Sequence, residues 1–275
     1  MDKPVSISEL NTLSHSIRKT IVEIVGRAQS GHPGAALSAV EILITLYFRV
    51  LRVDPRRPDW EDRDRFVLSK GHATPVLYAT LAARGFFPAD ELATFRQIGS
   101  RLQGHPDMRK TPGVDMSTGS LAQGFASAVG MALGLRLRKS PAHVYALLGD
   151  GELNEGEVWE AAAIGAHYRL GNLTAIVDHN GKQVGGLTKE ILDLGDLGAK
   201  WRAFGWNVLE VDGHDIQSLL DAFHGRDCGA IPTVVIAHTV KGKGVAFMEK
   251  GNEFYGEQLS AEDVWLAQAQ LQSGV

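Results

Sequence analysis

From residue 143 onward the chain alternates short apolar runs with helical patterns, and this rhythm limits its fold more than any other feature. Apolar runs occupy residues 143–148, 173–177, 206–211 and 233–237. Helical patterns lie between them at 155–169, 197–204 and 215–223, with Gly171 and Gly205 as stops after the first two. Strands that alternate with helices form a parallel sheet covered on both faces. Right-handed crossovers put the carboxyl ends of such strands on one edge, where ligands of open α/β sheets bind. The expected class is therefore α/β, a parallel sheet flanked by helices.

The first half reads as more helical. Ser8 is a candidate cap for a helix reaching Gln29, with Leu13, Ile17, Ile21, Ile24 and Val25 on one face. A Gly/Pro loop at 30–34 precedes a helix over 36–51, which Asp54-Pro55 stops. Residues 65–68 form a short strand, 74–84 a helix ending at Gly85, and 98–115 a polar loop. Residues 116–135 carry no charge but are too polar for a membrane span, and read as a buried loop entering a small-residue helix. With no repeat and no linker, residues 1–275 are expected to form a single domain.

Composition removes several function classes. Of 275 residues, 44% are apolar, enough for a sizeable core. The net charge of −4 leaves no basic surplus for a nucleic-acid backbone. The lone Cys228 excludes an intrachain disulfide and a thiolate zinc cluster, so a cytoplasmic location is expected. No signal-peptide core opens the chain. Neither a membrane nor a nucleic acid is an expected partner.

The most informative segment follows the run at 143–148 and reads Gly149-Asp150-Gly151-Glu152-Leu153-Asn154-Glu155-Gly156. The next run ends Ile176-Val177-Asp178-His179-Asn180-Gly181. Asp150 and Asn180 thus both follow strand ends, 30 residues apart, about one β-α-β unit. A carboxylate and an amide oxygen are hard donors, suited to Mg²⁺ or Ca²⁺ rather than zinc. Gly149 and Gly151 let the backbone approach a diphosphate, and the following helix can direct N–H groups at it. A β-α turn with a capping Asp150 and packing glycines would look similar. The dinucleotide fingerprint Gly-x-Gly-x-x-Gly is absent here.

Gly-Asp-Gly followed some thirty residues later by Asn resembles the thiamine diphosphate signature. Flanking segments narrow the resemblance to transketolase, and to the N-terminal half of transketolases split over two chains. They are Ser30-Gly31-His32-Pro33-Gly34, residues 65–73 ending Ser69-Lys70-Gly71-His72-Ala73, Gln103-Gly104-His105-Pro106 and Thr118-Gly119-Ser120-Leu121-Ala122-Gln123-Gly124. The resemblance spans residues 10–256. It implies a pyrophosphate-binding fold, thiamine diphosphate with Mg²⁺ (Ca²⁺ being possible), and transfer of a two-carbon ketol unit from a ketose or ketose phosphate to an aldose. Asp150, Asn180 and the Lys182 carbonyl would hold the metal, with Gly149, Asp150, Gly151 and Asn180 on the diphosphate. Gly119 and Leu121 would meet the aminopyrimidine.

Four of the 10 histidines follow a glycine: His32, His72, His105 and His214. A preceding Gly frees the backbone to aim an imidazole into a cavity. The resemblance gives His32 and His105 to the donor sugar's oxygens, and His32 and His72 to the cofactor. Neutral or cationic imidazoles both suit that work. His214 is expected to organise a turn and cap a helix; His15, His143 and His167 read as structural. Glu155 and Glu160 fit an exposed acidic pair. The resemblance instead puts Glu155 in a carboxylate chain linking two active sites across a subunit interface, with Glu160 beside it.

In this superfamily a glutamate on a second, pyrimidine-binding domain enables formation of the reactive cofactor. No matching domain follows here, so a C-terminal partner subunit carrying it is expected, in an α2β2 heterotetramer. Two positions depart from the family. Phe254-Tyr255-Gly256 stands where Trp-His-Gly is usual, which points to an altered donor or acceptor. Ala122 replaces a common Gly, and its methyl is expected to shift the pyrimidine slightly. Alternatives are another thiamine-dependent ketol or acyl transferase subunit, of the deoxyxylulose phosphate synthase type, and a noncatalytic cofactor-binding paralogue.

Overall fold

The structure is a computed structural model describing residues 4–225, 230–251 and 258–273. Cys228 and the 254–256 segment with Tyr255 lie outside the described residues. Helix α1 (Ile7–Ala28) leads into short helices α2 (Pro33–Leu37) and α3 (Val40–Thr45), then strand β1 (Arg65–Leu68) and α4 (Thr74–Arg84). Helix α5 (Gln123–Leu137) precedes β2 (Val144–Gly149), α6 (Gly156–His167) and β3 (Leu173–His179). A hairpin follows, β4 (Lys182–Gln183) and β5 (Gly186–Leu187), then α7 (Thr188–Ile191), α8 (Leu197–Ala203), β6 (Asn207–Asp212), α9 (Ile216–His224) and β7 (Thr233–His238). Helices α10 (Ala246–Lys250) and α11 (Ala261–Ser273) complete the described chain.

Five strands make one parallel sheet in the order β1-β2-β3-β7-β6. Alternate residues of each strand enter opposite cores, as strand geometry requires. In β2, Tyr145 and Leu147 join α1, α3, α4 and α9. Val144, Ala146 and Leu148 join α5, α6, Trp201 and Trp206. This two-sided burial is why the runs read as continuously apolar.

Three local readings need correction. The α1 cap is Ser6, not Ser8: its hydroxyl accepts from Glu9 N–H at 3.2 Å while the Glu9 carboxylate accepts from Ser6 N–H at 2.7 Å. The helix expected over 36–51 is broken after Leu37, where the Ser38 hydroxyl reaches Asp178 on β3. The α9 cap is Asp215, not His214, whose ring faces Glu41. Among the described residues no helix is long and apolar enough to cross a membrane.

Candidate active site

Parallel pairing sets Gly149 opposite Asp178, so the chain leaves β2 and β3 side by side at the carboxyl edge. Asp150 and Asn180 follow immediately and line one cavity of about 370 Å³. Asp150 is 5% exposed. Its oxygens accept N–H bonds from Gly151 at 2.9 Å and Gly181 at 2.6 Å. Burial, reinforced by the Asp178 charge, still pushes its carboxyl up to about 7. Asn180 Oδ1 accepts from Lys182 N–H at 3.1 Å. Lys182 also lines the cavity, and its ammonium donates to the Glu249 and Gly251 carbonyls at 2.7 and 3.1 Å.

These residues fit a divalent cation. A buried carboxylate that holds a proton this tightly gains from a positive neighbour. On the same wall Asn154 Oδ1 is buried with no hydrogen bond to a described residue. Carboxylate, amide and backbone carbonyl form an all-oxygen set, which suits Mg²⁺ or Ca²⁺.

In and behind the cavity wall lie polar side chains to which sequence reasoning gave no role. Lys70 and Asp178, 1% and 0% exposed, form a buried ion pair. Burial would raise the Asp178 carboxyl, but Lys70 and the Ser38 and Thr239 hydroxyls hold it below its ordinary value. Lys70 also donates to the Ala35 carbonyl at 2.8 Å. Glu152 accepts from Ser69 Oγ, from Ala122 N–H at 2.8 Å and from Gly149 N–H at 3.0 Å. It thereby ties the loop before α5 to the glycine turn after β2. Burial pushes its carboxyl up. Lys241, 5% exposed, supplies a further cation to the cavity wall. The only hint of these roles was a charge directly after an apolar run, at Asp178.

Three of the four glycine-loop histidines, His32, His72 and His105, lie near one another. The His32 and His72 ring centroids are 5.1 Å apart, and His72 lines the cavity. Gly119 faces the His105 ring, where a Cβ would come within 3.2 Å of its Cδ2. Of the four glycines before histidine, only Gly31 has a positive φ, +146°. At Gly71 a Cβ would lie 2.9 Å from the Thr118 carbonyl carbon, and at Gly104 2.7 Å from Arg96 Cζ. Room for a neighbour, more than freedom to turn, explains these two. Burial, with Arg96, His105 and Lys241 adding positive charge, lowers His32 to about 4. Burial, then Lys70 and the other two rings, lowers His72 to about 3. His105 is lowered by burial and Arg96. Burial therefore favours the neutral form of all three imidazoles.

Leu121 and Glu155 line the cavity. Glu160 does not: it is exposed on α6, beside a surface groove shared with Ala126, Val129 and Ile164. Ala122 adopts φ +70°, a strained value for a residue with a Cβ, and its methyl is buried in the core with Phe125. The methyl thus packs inward. His143 is structural, its Nε2 lying 2.8 Å from Thr174 Oγ1.

Comparison with known proteins gives the same reading from another direction. The family model described as "Transketolase, thiamine diphosphate binding domain" matches residues 10–274. A 6-deoxy-6-sulfo-D-fructose transketolase subunit of Clostridium sp. (strain MSTE9) is 44% identical over 94% of this chain and 94% of its own. An apulose-4-phosphate transketolase subunit of Actinobacillus succinogenes is 42% identical over 97% of each. The transketolase structure from Campylobacter jejuni superposes with a TM-score of 0.91 at 31% identity, covering 97% of this chain and 43% of that one. The Leishmania mexicana transketolase gives 0.89, covering 96% and 41%. Together these findings establish that the chain belongs to the family of transketolase thiamine diphosphate-binding domains.

Proposed function

We propose that the chain is the N-terminal subunit of a two-subunit transketolase, moving a two-carbon ketol unit from a ketose donor to an aldose acceptor. The observation that carries this reading is the meeting of Asp150 and Asn180 in one cavity at the carboxyl edge of β2 and β3. Asp150, Asn180 and the Lys182 carbonyl hold Mg²⁺, with Ca²⁺ as a substitute. Gly149 and Gly151 keep side chains away from the diphosphate, and Lys241 offers it positive charge. Gly119 and Leu121 meet the aminopyrimidine.

Bound thiamine diphosphate supplies a nucleophilic carbon for the ketose carbonyl. The protein's part is positioning and proton transfer. Neutral His32, His72 and His105 can each accept a proton from a sugar hydroxyl or return one to a developing alkoxide. Relatives named for sulfofructose and apulose-4-phosphate support a ketose with an anionic end group. Tyr255, where His is usual in the family, tunes donor or acceptor choice.

The described residues form one pyrophosphate-binding unit, and the catalytic glutamate comes from a C-terminal subunit with a pyrimidine-binding domain, in an α2β2 assembly. The word "subunit" in the relatives' names supports this. So does the cavity rim, where Val184 and Ile191 are 63% and 52% exposed, an apolar edge that a partner would cover. Glu155, on the cavity wall, starts a carboxylate chain linking two active sites across a subunit interface, with Glu160 beside it on α6. The lone Cys228 accords with a cytoplasmic enzyme.

The test is ketol transfer with thiamine diphosphate and Mg²⁺, assayed for the chain alone and with a co-expressed C-terminal subunit. Turnover is expected only for the pair. Robust turnover by the chain alone, or none by the pair on any ketose, overturns the reading.

A further inference from the structure

A buried charged cluster lies outside the cavity. Arg18 on α1 grips Glu41 on α3 with two bonds, Nη1 to Oε1 at 2.6 Å and Nη2 to Oε2 at 2.7 Å. Both residues are 5% exposed. His214, in the turn after β6, donates from Nδ1 to Glu41 Oε2 at 2.9 Å. Its Nε2 is then an acceptor, and Val240 N–H donates to it at 2.9 Å. Arg18 Nε donates to the Lys243 carbonyl at 3.0 Å.

Both free ends of the cluster therefore fasten the same loop, one residue before and two residues after Lys241. Gly242 N–H adds a third tie, to the Gly34 carbonyl at 3.0 Å. A long lysine side chain carries considerable rotamer entropy. Fixing its backbone on both sides restricts where this side chain, which lines the cavity, can go. A buried Arg–Glu pair is weak support for stability alone, since desolvation offsets the attraction. The direction of its spare hydrogen bonds tells more.

We propose that Arg18, Glu41 and His214 are positioning residues that set the Lys241 loop, and through it the affinity for the cofactor diphosphate. This rests on the reading of the cavity as the diphosphate site. The Val240 N–H at Nε2 places the ring proton on Nδ1, facing Glu41.

The test is a double-mutant cycle on the full chain with its C-terminal subunit, titrated with thiamine diphosphate at saturating Mg²⁺. His214→Asn keeps a donor for Glu41 and removes the acceptor for Val240. It is expected to weaken binding by about fivefold, the loss of one neutral hydrogen bond. Lys241→Met is expected to weaken it at least about tenfold. The double variant should bind no more weakly than Lys241→Met, because the cluster acts through that lysine. Should His214→Asn fail to fold, Arg18→Lys enters the same cycle, keeping the charge and losing the Nε donor. Additive losses overturn the proposal, as does unchanged affinity in His214→Asn or Lys241→Met. Failure of the unaltered protein to bind thiamine diphosphate would instead overturn the reading of the cavity.

Discussion

Asp150 and Asn180 leave neighbouring parallel strands within one residue of the same level, and the Gly181 N–H joins their two loops by donating to Asp150 Oδ2 at 2.6 Å. One crossover unit thus delivers two hard oxygen donors to one wall. This bond from the Gly181 backbone to the Asp150 carboxylate fixes the separation of the loops before any cation arrives. Such prior ordering lowers the cost of building a coordination shell.

The Lys70–Asp178 pair under that wall should be expensive to break. Removing the ammonium leaves Asp178 buried near a second buried carboxylate, Asp150. Lys70→Met is expected to destabilise the chain by about 3–5 kcal/mol, read as a lowered midpoint in urea. A loss under about 1 kcal/mol would show that the pair does not hold the wall.

Glu152 accepts three hydrogen bonds and donates none. Glu152→Gln places an N–H₂ group against one of those donors while keeping the shape. The expected cost is about 1–3 kcal/mol. The amide oxygen is expected to keep Ser69 and Ala122, so amide exchange should rise at Gly149, whose N–H then faces the N–H₂ group. Unchanged exchange there would mean that core packing alone holds the loop.

Acid should loosen the fold through the histidines. His32 and His72 titrate near 4 and 3 in the folded chain, against an ordinary 6.5. Between those values the unfolded chain binds protons that the folded one refuses, so stability falls as pH falls. Their contribution is fully present above pH 6.5 and disappears towards pH 4 and then 3. Urea midpoints from pH 8 to 4 should show this, with a flatter profile in His72→Gln. An equal slope in the variant would contradict the assigned burial.

Much of this was legible in the chain because it depends on local pattern. The runs that became β2, β3 and β7 are continuously apolar, since both faces are covered. Asp150 and Asn180 are readable from spacing because one crossover unit has a nearly fixed length. The break after Leu37 was not readable, as it depends on Ser38 meeting Asp178, 140 residues away. Lys70 and Glu152 were missed likewise. Propensity marks them as surface residues, and only distant partners make their burial tolerable. The Ser6 cap was available, with Glu9 at the required spacing.

The most direct test is calorimetric titration of the full chain, with its C-terminal subunit, by thiamine diphosphate with and without Mg²⁺. Binding is expected to require the cation and to weaken at least about a hundredfold in Asp150→Asn and Asn180→Ala. Full affinity without a divalent cation, or undiminished affinity in either variant, would contradict the assignment of these two residues to the cofactor's metal.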